Sequence, residues 1–172
     1  DEERLPRPKA FYSVHKWAAE RYLELSGLPY AIARLANVYG PRQRSDLEGG
    51  VVAIFAERLA AGEPISVYGN GEQRRDFVHV DDVAAAILAM LGSRTNGMWN
   101  VGTGRATTID ELLAAAERVF GAAAEVTRHP ARAGDVFSSC LAVGKIEREL
   151  GWRPTVSLDA GLRTLRPAAP PR

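Results

Sequence analysis

The stretch "YAIARLANVYG", residues 30–40, decides the fold class. Its Ala, Ile and Leu run almost without alternation, which predicts a strand covered on both faces, as in parallel sheets flanked by helices. Arg34 interrupts the run. On its N-terminal side, "AFYSVHKWAAERYLELSG" (residues 10–27) reads as a helix. Ser13 can cap it, Trp17, Ala18, Tyr22 and Leu25 recur at helical spacing, and Gly27 and Pro29 stop it. On the other side, a polar loop leads to the helix "VVAIFAERLAAG", ended by Gly62. The strand "PISVYG", an Asn70-Gly71 turn of hairpin type and the strand "RDFVHV" follow. Asp81 or Asp82 can cap an Ala-rich helix ending near Leu91, and "MWNVGTG" is a strand running into a glycine turn. Thr108 and Glu111 form a capping-box pattern for "IDELLAAAERVFG". The remainder reads as a short strand near Val126, a helix over "KIERELGW", a helix after Ser157, and a tail at residues 167–172 expected to be disordered. Strands alternating with helices place the chain in the α/β class.

Composition limits the function. The 172 residues are 46% hydrophobic and 25% charged, enough for an ordinary core. Lys and Arg total 22 against 21 acids, so a net charge of +1 offers no basic field for nucleic acid. Cys140 has no partner for an internal disulfide, and the three histidines lie too far apart in sequence for metal-ligand spacing. No apolar run approaches the roughly 20 residues that cross a bilayer, and the cytoplasm is the expected compartment.

Tyr12 and Lys16 stand four apart near the start of the first helix, so both side chains can act on one bound molecule. A nearby cation favours phenolate over phenol, the form that takes a proton from an alcohol. Most basic residues are Arg, and Lys occurs only at positions 9, 16 and 145, so a compact ammonium at Lys16 departs from the chain's habit. The bland alternative is two amphipathic side chains sharing a face. "GTGRAT" (102–107) imitates a dinucleotide fingerprint but lacks the third glycine, and Glu125 precedes its strand instead of ending it, so a tight strand-to-helix turn is the better reading. Asp76 reads as a partner for neighbouring backbone or Arg74, His79 as a packed strand residue, Cys140 as a small buried side chain, and Trp99 and Trp152 as core.

Tyr12-x-x-x-Lys16, "RLANVYGPRQ", "GGVVAIFAERLAAGEPISVYGNGEQRRDFVHVDDVA", "NVGTG", "ARAGD" and "LGWRP" with "SLDAGL", in this order, resemble the extended short-chain dehydrogenase/reductase family, and within it the nucleotide-sugar epimerases. The resemblance spans nearly all of residues 9–166. It implies NAD as cofactor, a nucleotide sugar (a UDP-sugar first) as substrate, and interconversion at the sugar's C4 through a 4-keto sugar. Tyr12 would be the acid/base, and Lys16 would hold the nicotinamide ribose. Asn37 would donate to the substrate diphosphate, Arg75 and Arg132 would clamp it, Asp135 would accept from the ribose hydroxyls, and Tyr68 would lie against the base. In the resembled epimerases a bulky residue four positions after that aspartate excludes 2-acetamido sugars and a small one admits them, and the resemblance puts Ser139 at that position. Taken singly, these residues also read as a turn former, solvated charges, a loop cap and core.

The resemblance further implies residues 1–40 and 82–105 as part of a Rossmann-type NAD-binding domain, and residues 41–81 and 106–166 as a smaller substrate lobe. The glycine loop that wraps the NAD pyrophosphate precedes these segments in the family. The chain is therefore expected to be a C-terminal portion, inactive alone, with an open edge on the strand at 30–37, and a homodimer when complete. A dehydratase or decarboxylase, or a binding module without chemistry, are the alternatives.

Overall fold

The computed structural model describes residues 1–46, 50–132 and 134–166. The tail at 167–172, Ala133, and residues 47–49 of the polar loop lie outside the described residues.

Residues 30–40 form two strands where one was expected: β1 (Ala31–Leu35) and β2 (Asn37–Tyr39). The division at Ala36 is a change of neighbour. β1 runs parallel to β6 (Gly97–Val101), and Ala36 N–H donates to Val101 C=O at 2.8 Å. One residue later Asn37 N–H donates to Asp76 C=O at 2.8 Å, and β2 continues parallel to β5 (Phe77–His79). β1 pairs with β6 alone among the described residues, so its second edge is open. Its two-sided cover is incomplete: Ile32 is buried but Leu35 is 46% exposed.

"RDFVHV" is likewise divided, into β4 (Arg74–Arg75) and β5, by the buried Asp76. The Asp76 carboxylate accepts from Thr103 N–H (2.8 Å), Thr103 Oγ1 (2.5 Å), Gly104 N–H (3.1 Å) and Leu141 N–H (3.4 Å). It therefore anchors the glycine turn through backbone, and Arg74 is not among its partners. β4 pairs with β7 (Thr107–Thr108), antiparallel, and with β9 (Ser138–Ser139), parallel. The Asn70-Gly71 turn does not close a hairpin: β3 (Ile65–Tyr68) pairs instead with β8 (Val126–His129), in parallel. Of the expected pair only Gly71 has a positive φ, 83°, and the other positive φ falls one residue earlier, at Gly69 (82°), so the local backbone is not that of the two-residue hairpin turn.

Most helix boundaries follow their capping residues. α2 (Val51–Ala61) ends on left-handed Gly62, and α4 (Ile109–Phe120) starts with the reciprocal Thr108–Glu111 box. Ser157 caps α6 (Leu158–Arg163), and α5 (Gly144–Leu150) lies over the expected "KIEREL" segment. Two caps differ. α1 (Phe11–Leu25) is entered from Ala10, and Ser13 sits in its first turn, its hydroxyl accepting from Ala10 N–H at 3.2 Å and donating to Ala10 C=O at 2.8 Å. α3 (Val80–Ser93) is capped by His79, whose Nδ1 accepts from Asp81 N–H at 3.3 Å. Asp82, buried, instead accepts from Thr155 N–H and Oγ1 and from Val156 N–H at 2.9 to 3.0 Å, tying α3 to the chain before α6.

Two clusters form the core. In the first, Val52, Phe55 and Leu59 of α2 meet Leu112, Ala116 and Val119 of α4 over Ile65 and Val67 of β3. These recur at three- and four-residue spacing, so each helix buries one stripe. Tyr39 joins them, its hydroxyl pushed up to about 12 by burial and by the charges of Asp82 and Asp159. A Cβ at Gly161 would come within 2.1 Å of the Tyr39 hydroxyl, so α6 needs glycine there. The second cluster joins Val78, Val83 and Met90 to Trp99, Ile146 and Trp152, so both tryptophans are core. His79 is buried as expected. Cys140 is exposed, not buried, because it follows the short edge strand β9. The expected apolar face of α1 is also uncovered: no residue of this helix is buried, and Tyr22 and Leu25 are 75% and 84% exposed.

Candidate active site

The candidate residues gather in two places. Asn37, Tyr68, Arg75, Arg132 and Asp135 line one cavity of about 310 Å³, together with Gln73. Five residues spread over 99 positions of sequence thus share one wall, from 37 to 135. Asn37 is there because the change of neighbour at Ala36 starts β2 beside Asp76. Arg75 is there because Asp76, turned inward to the glycine turn, leaves its neighbour facing the cavity. The Arg75 guanidinium donates to Asp135 Oδ1 at 2.6 Å and to Arg74 C=O at 2.9 Å.

The parallel register of β3 and β8 sets Tyr68 opposite His129. Their rings stack with centroids 5.0 Å apart and planes 26° apart, and the Arg132 guanidinium lies 3.9 Å from the Tyr68 centroid. Tyr68 is 38% exposed and is not simple core. His129 Nε2 lies 3.2 Å from Ser66 Oγ. Neither His129 nor Gln73 was a sequence candidate; the only signal for His129 was its place on the strand near Val126, and nothing marked Gln73. Ser139 lies on β9 in register with Arg75, exposed, beside the cavity-lining strand. Its neighbour Cys140 has its thiol pushed up by partial desolvation and by Asp76, which keeps it protonated at neutral pH.

Tyr12 and Lys16 occupy the second place, a cleft of about 450 Å³ between α1 and residues 1–7, with Glu20 and Arg34 on its wall. The Lys16 Nζ lies 5.5 Å from the Tyr12 ring centroid, so the two side chains share a face. Tyr12 is 72% exposed and open to a ligand. Arg34 holds the helix in place, donating from Nε and Nη2 to Glu20 at 2.8 and 2.7 Å and from Nη1 to Glu2 C=O at 3.1 Å. That Glu20 contact raises the Arg34 guanidinium further above its ordinary value. Among the described residues no cluster of His, Cys, Asp and Glu could hold a metal, and no helix is long and apolar enough to cross a membrane.

The chain is similar in sequence and fold to known proteins. The chain is 41% identical over 160 residues to a UDP-glucose 4-epimerase of Mycolicibacterium smegmatis, covering 90% of this chain and 51% of that enzyme. The UDP-glucose 4-epimerase of Thermotoga maritima, solved with UDP-glucose, superposes with a TM-score of 0.91 at 43% identity, covering 95% of this chain and 54% of that one. The Thermus thermophilus UDP-glucose 4-epimerase, solved with NAD, gives 0.89 at 42% identity, covering 96% and 55%. The chain thus spans about half the length of the relatives it matches. The α/β fold with parallel sheets is that of part of an extended short-chain dehydrogenase/reductase. The family model of NAD-dependent epimerases and dehydratases matches residues 1–102, and the chain belongs to that family.

Proposed function

We propose that these residues form the nucleotide-sugar-binding and proton-transferring part of an NAD-dependent 4-epimerase acting on UDP-sugars. The observation that carries this reading is the meeting of Asn37, Tyr68, Arg75, Arg132 and Asp135 in one cavity. Two guanidinium groups and an amide suit a diphosphate, a carboxylate suits ribose hydroxyls, and an aromatic ring suits a base. Arg75 exchanges its Asp135 partner for the diphosphate, freeing that carboxylate for the ribose. Tyr12, exposed beside Lys16, is positioned to take the proton from the sugar 4-hydroxyl and return it. The Lys16 ammonium offsets the negative charge on the phenol oxygen and holds the nicotinamide ribose. NAD, when bound, supplies a hydride acceptor and donor, and an open phenol–ammonium pair in a cleft fits it. The 172 residues by themselves are expected to show no turnover, and a measurable rate in the purified chain would refute that part of the reading.

Titration of UDP against the chain tests the binding half: saturable binding lost in Arg75→Ala is expected, and no binding refutes the reading. In the complete protein, Tyr12→Phe is expected to lower turnover by about 10²- to 10⁴-fold. Mass analysis separates chemistries, because an epimerase releases an isomer of unchanged mass, whereas a dehydratase or decarboxylase does not. Ser139, small and exposed beside the cavity, supports acceptance of UDP-N-acetylglucosamine as well as UDP-glucose. Equal rejection of the acetamido sugar by the wild type and Ser139→Tyr would refute that extension.

A further inference from the structure

Gln73, in the turn before β4, holds the single buried side-chain polar atom without a hydrogen-bond partner among the described residues, its Oε1. The residue is 6% exposed and lines the same cavity as Tyr68, Arg132 and Asp135. The direction of its amide is dictated by chemistry. Nε2 donates to the Tyr68 C=O at 2.6 Å, and a carbonyl only accepts, so a flipped amide would set two acceptors against each other. The chain also makes room for this side chain: a Cβ at Gly69, where φ is +82°, would lie 2.1 Å from Nε2. Gly69 and Gln73 together hold a carbonyl oxygen for which the described residues provide no donor. Buried polar atoms are nearly always paired, and an unpaired one is unfavourable. On a cavity wall, it marks the place of a donor that comes with a ligand.

We propose that Gln73 Oε1 accepts a hydrogen bond from the N3–H of a uracil-type base, which makes Gln73 a determinant of nucleobase choice. The proposal rests on the nucleotide-sugar reading above. Of the donors on uridine diphosphate, the ribose hydroxyls belong to Asp135 and the diphosphate carries none at neutral pH, which leaves the base N3–H. The Gln73 amide hangs from the carbonyl of Tyr68, the residue whose ring serves as the base platform, so acceptor and platform are held as one piece. Cytosine presents a bare acceptor at N3 and is disfavoured there. Because Oε1 is buried, the base reaches it with a small displacement of the cavity wall, as the Arg132 guanidinium leaves the Tyr68 ring for the diphosphate.

The test titrates UDP and N3-methyl-UDP against the wild-type chain and Gln73→Met. The ratio of the two affinities within one variant does not depend on the fraction folded, so partial destabilisation by the substitution leaves it readable. The wild type is expected to bind UDP at least about tenfold more tightly than the methylated base, since a site built around a donor rejects the analogue that lacks it. In Gln73→Met the ratio is expected to fall to within about twofold. Equal affinities in the wild type, or an undiminished ratio in Gln73→Met, overturn the role of Gln73 while leaving the cavity a nucleotide site. Failure of the wild type to bind UDP overturns both.

Discussion

Helices α4 and α1 carry the same kind of amphipathic spacing and meet opposite fates. α4 buries Leu112, Leu113, Ala115, Ala116 and Val119 against α2 and β3, whereas α1, three residues longer, buries none of its 15 residues. Phe11, Tyr22 and Leu25 of α1 are 75% to 87% exposed. Periodicity marks a face that can be covered, but a second surface must supply the cover. The two proposed halves of the site divide along this line. The diphosphate and base contacts sit beside the packed α2–α4 cluster, and the Tyr12–Lys16 pair stands on the uncovered helix, held by the Arg34–Glu20 fork and the Ser13 hydroxyl.

If this contrast is real, damage should scale with packing. Leu112→Ala opens a cavity at a site with no exposure and is expected to cost about 4 kcal/mol in denaturant unfolding, near the upper part of the usual range for such truncations. A cost near that of a surface substitution would break the comparison at its strong end. Asp82→Ala strips the partner from two backbone N–H groups and one hydroxyl between α3 and residues 155–156, and is expected to cost about 3 kcal/mol. On the sparse side, Glu20→Gln weakens the Arg34 fork and should cost only about 1 kcal/mol globally. Its sharper readout is amide hydrogen exchange, which should quicken in α1 and leave α4 unchanged.

The smallest expected effect is one of pH. The Thr108 backbone N–H, above all, holds the Glu111 carboxyl below its usual range. The unfolded chain therefore binds the proton first as pH falls, and stability drops with pH between the ordinary glutamate value, about 4.3, and the lower folded one. Glu111→Gln should flatten that acid limb slightly and leave the neutral plateau nearly unchanged. An unchanged acid limb would remove the electrostatic part of the capping box and leave only its geometry.

Local chemistry was the most readable part of this chain. Gly62, Ser157 and the Thr108–Glu111 box mark helix ends where they stand, because a cap is satisfied within three or four residues of itself. Errors arose wherever a distant partner competed for a group. Asp82 was available as a helix cap but serves residues 155 and 156, and β3 was available for a hairpin but pairs with β8. Cys140 looked buried beside Leu141, yet it lies exposed next to an edge strand. The candidate residues were found by motif order, while Gln73 and His129 were invisible because their significance lies in what they face.

By itself, the sequence determined the α/β class, the order of the helices and of the longer strand segments, and most helix boundaries, since each depends on interactions short along the chain. Tertiary structure alone decided which strands are neighbours, which apolar faces are covered, and that Asn37, Tyr68, Arg75, Arg132 and Asp135 meet in one cavity. Pairing between distant segments is settled by competition for hydrogen bonds and buried area across the whole molecule, and no window of neighbouring residues contains that competition.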